Sequence, residues 1–197
     1  MKGRPKYFVY QTNIYTSGGG IRQAKLLSKM PVIKSPMQDE PFGVNFELTY
    51  QINPRFTPPD NYVGSHGFTL YSKRLIDLME KYDTKFEKFP VKMVDKSKKE
   101  LLGLEYFAFH LLEGVQDGID EKASSFDKDN RPRIKKLILD YSKFDQKPLV
   151  LLDKVYIPLM REDLKDEIAK NQITGFGFLS VDKYIMNEFG FPPNFED

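Results

Sequence analysis

Hydrophobic positions along the chain change period several times, and each change predicts an element. Leu75, Ile76, Met79 and Tyr82 recur at helical spacing behind Ser72, whose hydroxyl suits an N-cap, so a helix is predicted over 73–82. Phe89, Val91 and Met93 alternate with other residues, the period of a strand over 87–94. The aromatic-rich stretch 104–112 predicts a second strand, buried on at least one face, and 134–139 predicts another. Leu149–Leu152 and Val155–Ile157 are short apolar runs divided by Asp153-Lys154, the layout of a hairpin. Residues 161–170 read as a helix: Glu162 and Asp163 suit its first turn, Leu164 and Ile168 face one way, and Asn171 can end it. Ile173 to Leu179 predicts a strand. Ser180 then stands where it could cap a short helix over 181–189, closed by Gly190 and Pro192.

The first third is punctuated differently. Gly18-Gly19-Gly20, Pro31, Pro36, Pro41, Pro54, Pro58-Pro59, Gly64 and Gly67 leave room only for short strands and turns. Residues 1–64 are therefore expected to be irregular and turn-rich, and 65–197 more regular. Strands outnumber helices without alternating strictly with them, which predicts an α+β fold of mainly antiparallel sheet with a few short helices. A length of 197 residues suits a single compact domain. Leu75, Met79, Tyr82, Phe107, Phe109, Ile138, Leu151, Ile168 and Phe176 are the expected core.

Composition narrows the chemistry. Only 4 residues are Ala, which argues against a helical bundle, while 16 Phe and 11 Tyr can supply a large core. With no Cys there is no disulfide, thiolate zinc site, iron–sulfur cluster or cysteine nucleophile. His66 and His110 are the two histidines, too few for an ordinary histidine metal site, and no cofactor is implied. No run approaches the roughly 18 apolar residues of a membrane span. The basic start Met1–Lys6 is followed by Tyr7–Thr16, too polar for a signal-peptide core of about 7–15 apolar residues, so a cytoplasmic location is expected.

The net charge of +2 hides an uneven distribution. Residues 1–38 hold seven basic side chains and no acid, whereas the remaining 159 hold 23 basic and 28 acidic ones. A basic arm with Tyr7, Phe8, Tyr10 and Tyr15 interleaved could stack on nucleic acid. Its charges are spread rather than clustered, and the same alternation describes a half-buried strand. Asp117, Asp120, Glu121, Asp127 and Asp129 form an acidic set that could face a basic partner.

Catalytic motifs fail on spacing. In Gly18-Gly19-Gly20-Ile21-Arg22-Gln23, Gln23 stands where a dinucleotide fingerprint needs its third Gly, and no Gly-Lys-Ser/Thr follows. Gly64-Ser65-His66-Gly67 lacks the residue that a nucleophile elbow places between Gly and Ser, and reads as a tight turn. A Ser and a His adjacent in sequence are not expected to be placed for proton transfer. Asp127-Lys128-Asp129-Asn130-Arg131-Pro132 has Arg and Pro where a calcium loop needs Asp or Asn, then Gly. An enzyme using carboxylates or a lone His stays open as an alternative, as does a nucleic-acid-associated protein using the basic arm. No residue pair is nominated as catalytic.

One ordered set of segments carries more information. It runs from Ser72-Lys73-Arg74-Leu75-Ile76-Asp77-Leu78 through Phe89-Pro90-Val91 to Val115-Gln116-Asp117-Gly118-Ile119-Asp120 and Ser124-Ser125-Phe126. It continues through 134–139, 149–157 and the helix 161–170 to Ile173-Thr174-Gly175-Phe176-Gly177-Phe178. Residues 65–185 thereby resemble a family of bacterial immunity proteins from polymorphic toxin systems, long catalogued as a domain of unknown function. The resemblance implies a cytoplasmic antidote that binds and inactivates a cognate toxin protein without chemistry of its own. Residues 1–64 lie outside it, and neither the toxin nor the oligomeric state follows from it.

Overall fold

Alternating and helical periods become elements largely where they fall in the chain. The computed structural model describes residues 5–12, 23–33, 39–127 and 133–186. In order these form β1 (Tyr7–Thr12), β2 (Lys25–Leu26), β3 (Leu48–Gln51), β4 (Asn61–Val63), β5 (Thr69–Ser72), α1 (Lys73–Lys81), β6 (Phe86–Val94) and β7 (Tyr106–Leu111). Then come β8 (Gly114–Val115), β9 (Ser125–Asp127), β10 (Arg133–Lys136), β11 (Leu149–Leu152), β12 (Ile157–Arg161), α2 (Glu162–Lys170) and β13 (Phe176–Ser180). The fold class is α+β. Pairings with defined register are antiparallel except β3 with β6 and β8 with β11.

The chain divides into two compact units. One comprises Thr12–Glu113 and Ile168–Phe176. Its six-stranded sheet has the order β2-β3-β6-β7-β5-β4. Along β6 the side chains of Phe89, Val91 and Met93 are buried while Lys88, Pro90 and Lys92 are exposed, so one face builds core. β3 pairs with β6 only from Val91 onward, so Pro90 lies where one side of the strand is open and a missing N–H is tolerated. Leu48, Tyr50, Phe68, Leu70, Met93 and Ala108 are among the core of this unit. Helix α1 begins at Ser72, whose Oγ accepts the Leu75 N–H at 3.4 Å, and it buries Leu75, Ile76, Leu78 and Met79.

The other unit comprises Met1–Gln11, Gly114–Glu167 and Gly177–Asp197. Its five-stranded sheet has the order β13-β1-β12-β11-β8, and β9 and β10 form a separate ribbon. Tyr7, Ile134, Leu137, Phe144, Val150 and Leu159 are among its core residues. The Tyr7 hydroxyl donates to the Lys147 carbonyl at 2.6 Å, which satisfies the polar end of a buried ring. Gly118 packs so closely that an added Cβ would come within 2.7 Å of Val115 and 3.0 Å of Leu152.

Several boundaries depart from the periodicity. Val155 lies in the β11–β12 turn rather than in a strand, because Leu152 pairs with Ile157 and the Val155 and Tyr156 N–H groups fold back to the Leu152 carbonyl. Strand β13 starts at Phe176, since Ile173 N–H closes the end of α2 on Ile168 and Gly175 turns with φ +91°. Ser180 makes no side-chain cap, and only one 3₁₀ turn, Val181–Lys183, follows it within the described residues. Residues 187–192 lie outside them. Of the expected core, Leu75, Met79, Phe109, Ile168 and Phe176 are buried. Tyr82, Phe107, Ile138 and Leu151 are only half-buried, because the buried register falls on their neighbours Ala108, Leu137, Leu139, Val150 and Leu152. Among the described residues of the first third lie β1 to β4, and Tyr7, Ala24, Leu48 and Tyr50 are part of the cores.

Burial sets an expected ranking of substitutions. Leu75→Ala and Met79→Ala should each cost about 2–5 kcal/mol, and Leu151→Ala and Phe107→Ala distinctly less. Chemical denaturation of the four variants checks this; equal losses would contradict the assigned faces.

Candidate functional site

Motif residues from distant parts of the chain converge on one carboxylate. Asp60 is 6% exposed. Arg74 grips it with two hydrogen bonds, Nε to Oδ1 and Nη2 to Oδ2, each 2.6 Å. Ser72 Oγ donates to Oδ1 at 2.7 Å, and the Thr174 N–H and hydroxyl donate to Oδ2 at 2.9 and 3.0 Å. Arg74 also reaches the Gln172 carbonyl at 2.8 Å. Burial pushes the Asp60 pKa up, but the hydrogen bonds from Arg74, Ser72 and Thr174 outweigh it and hold the group at about 2. The same turn brings Gly175 against the chain: an added Cβ would lie 2.2 Å from the Asn61 carbonyl oxygen. Ser72, Arg74, Thr174 and Gly175 are thus explained by architecture.

The two histidines occupy unlike places. His110 is 1% exposed in β7, with Nδ1 3.0 Å from Glu87 Oε2 and its ring stacked on Phe42 at 3.9 Å between centroids. His66 is exposed, has φ +67°, and places Nδ1 3.2 Å from Ser65 Oγ. The two neighbouring side chains thus come within hydrogen-bond distance. Ser65 Oγ meanwhile accepts the Leu26 N–H at 2.8 Å, which fastens β2 to the tight turn. Among the described residues no three His, Asp or Glu side chains gather as a metal site, and no helix is long and apolar enough to cross a membrane.

The acidic set is only partly gathered. Lys154 Nζ bridges Asp117 at 3.2 Å and Glu121 at 2.5 Å, on an exposed surface. Asp120 instead accepts the backbone N–H groups of Lys122 and Ala123. Asp127 ends β9, and Asp129 lies outside the described residues, as does the Gly18–Gly20 run. Of the proposed stacking aromatics, Tyr7 and Tyr10 are buried, and Phe8 lies beneath Lys6 and Lys165 at 4.7 and 4.8 Å. Tyr15 lies outside the described residues.

A different surface stands out in the six-stranded unit. The turn after β3 and the hairpin joining β6 to β7 enclose an open recess of about 620 Å³. Asn53-Pro54-Arg55-Phe56 forms the turn: Asn53 Oδ1 accepts the Arg55 N–H at 3.1 Å and the Asn53 carbonyl accepts the Phe56 N–H at 3.2 Å. Tyr106 donates its hydroxyl between the Pro58 and Pro59 carbonyls, 3.0 Å from each. At the hairpin, Asp95 Oδ1 accepts the Ser97 N–H, the Ser97 hydroxyl and the Lys99 N–H. These bonds hold the Asp95 carboxyl below its ordinary pKa. Leu102 precedes Gly103, which turns with φ +85°, and is left 87% exposed. Phe56 is 47% exposed across the recess opening. Sequence reading passed over these residues, because only exposure distinguishes a wet Leu from a core Leu. The Leu102-Gly103 turn within a run of charged residues was the available signal.

The described residues form a scaffold in which Asp60 is fully hydrogen-bonded, with a recess lined by both apolar and charged side chains. Comparison with known families places it. A model described as "Immunity protein family (Imm11)" matches residues 1–183, and the chain belongs to that immunity protein family. The match takes in residues 1–64, which the motifs alone left outside. No curated protein matches the chain.

The Asp60 cluster generates two expectations. A carboxyl depressed from 3.8 to about 2 contributes stability that is present above pH 4 and disappears as pH falls through 2, about 2 kcal/mol in all. The stability gap between the wild-type chain and Asp60→Asn should therefore narrow by about that amount in denaturation curves taken from pH 6 to pH 2. Gly175→Ala should cost more than about 1 kcal/mol, since both its φ and its space exclude a Cβ. A neutral result in thermal melts would rule out that close approach.

Proposed function

We propose that the chain is a cytoplasmic immunity protein that binds a cognate toxin and inactivates it by occlusion, with no chemistry of its own. The observation that carries this reading is membership of an immunity family over residues 1–183. The arrangement of polar groups supports it. Asp60, Glu87, Asp95 and Asp120 each accept hydrogen bonds from the protein's own backbone or side chains, as befits a scaffold. Occlusion asks for a stable fold, a complementary patch and rapid capture, and opposite charge on the partners supplies the last.

Stoichiometry separates occlusion from catalysis. Titrating the purified chain into its toxin should abolish toxin activity at one equivalent and give a one-to-one complex by light scattering. Cells that co-express the pair should survive. Complete neutralisation at a small fraction of an equivalent, or protection without a complex, would overturn binding as the mechanism.

A further inference from the structure

The recess in the six-stranded unit has an unbalanced rim. Arg55 and Lys99 line it, and Lys96 and Lys98 stand exposed at the same hairpin. None of these four enters an ion pair among the described residues. The two acids of the rim are both engaged. Asp95 holds the N–H groups and hydroxyl of its own turn, and Glu100 pairs with Lys92 at 2.7 Å. Asp95 keeps its negative charge and attracts Lys99. With the Glu100–Lys92 pair taken as neutral, the four cations Arg55, Lys96, Lys98 and Lys99 still outnumber that one carboxylate, so positive charge is in surplus around the recess. Leu102 and Phe56 line it and are both exposed, and hydrogen bonds hold the 53–56 turn that carries Phe56. One exposed Leu is ordinary, but Leu102 and Phe56 exposed on one recess with Arg55 beside them form an apolar patch with a cation at its side, the kind of surface a partner buries.

From this geometry we infer that the recess between residues 52–58 and 95–104 captures the toxin, and that it takes an acidic segment carrying an apolar anchor side chain. The inference rests on the immunity reading above and names the surface and the partner chemistry for it. The anchor fills the recess against Leu102 and Phe56. Carboxylates beside it meet Arg55, Lys96, Lys98 and Lys99. The 117–121 turn is the lesser surface for the same role, because Lys154 already offsets half the charge of Asp117 and Glu121 and neither acid lines the recess.

The test uses the full chain and the toxin that the wild-type chain neutralises, with affinity measured by calorimetry. Leu102→Asp and Phe56→Ala should each weaken binding by at least about tenfold. Arg55→Glu combined with Lys99→Glu should slow association and flatten its decline with salt. Asp117→Lys with Glu121→Lys should change affinity by less than about threefold. All these positions are exposed, and unchanged melting temperatures confirm folding. Hydrogen exchange on the wild-type complex gives a readout independent of any variant, with slowed amides expected at 53–57 and 95–104. If the wild-type chain binds and protects but the recess variants bind equally well and exchange slows elsewhere, the recess assignment is overturned. If the wild-type chain neither binds nor protects, the immunity reading fails and the recess assignment falls with it.

Discussion

A carboxylate removed from water has to be paired, and Asp60 is removed from water between a strand, a helix start and a returning turn. Its partners dictate where those pieces lie. Ser72 holds it with the hydroxyl that also caps α1, Arg74 clamps it from the first turn of the helix, and Thr174 closes over it from a segment about a hundred residues away. Removing any one donor leaves a buried charge short of compensation, which costs far more than a surface ion pair contributes. The short strand β4, the N-terminus of α1 and the approach to β13 are therefore positioned by one electrostatic demand. The hydrophobic core then fills in around it.

That demand explains which parts of the fold were legible. Ser72 with Leu75, Ile76 and Met79 announced α1 because a cap and a helical stripe are local signals. Phe89, Val91 and Met93 announced β6 because alternation is local too. Thr174-Gly175 could be noticed as a motif, but its reason lies in Asp60 and Asn61, which only tertiary structure brings near. Val155 was misplaced because an apolar residue in a turn has the same letter as one in a strand. Leu151 is misassigned by one position, which in a strand exchanges the inner face for the outer, whereas Ile138 lies beyond the end of β10 at Lys136, where Leu137 and Leu139 take the buried places.

The candidate surface was less legible than the fold. Acidic residues between 117 and 129 drew attention through their density, yet the structure shows Asp117 and Glu121 sharing Lys154 and Asp120 holding backbone N–H groups. Charge composition counts side chains but not how they are engaged. The recess draws on two loops some forty residues apart, and its basic surplus appears only once the loops bring Arg55 beside the lysines of the 95–100 hairpin and Glu100 is seen to pair with Lys92. Membership of the immunity family suggests the kind of partner, and the chemistry proposed for that partner is read from the recess.

The edges of the six-stranded sheet carry a further consequence. They are formed by β2, of two residues, and β4, of three, and the Asn61 N–H of β4 is already bonded to the Thr174 carbonyl. Edges this brief give an incoming strand little ladder to extend, which disfavours addition of another copy or an extended peptide at either end of this sheet.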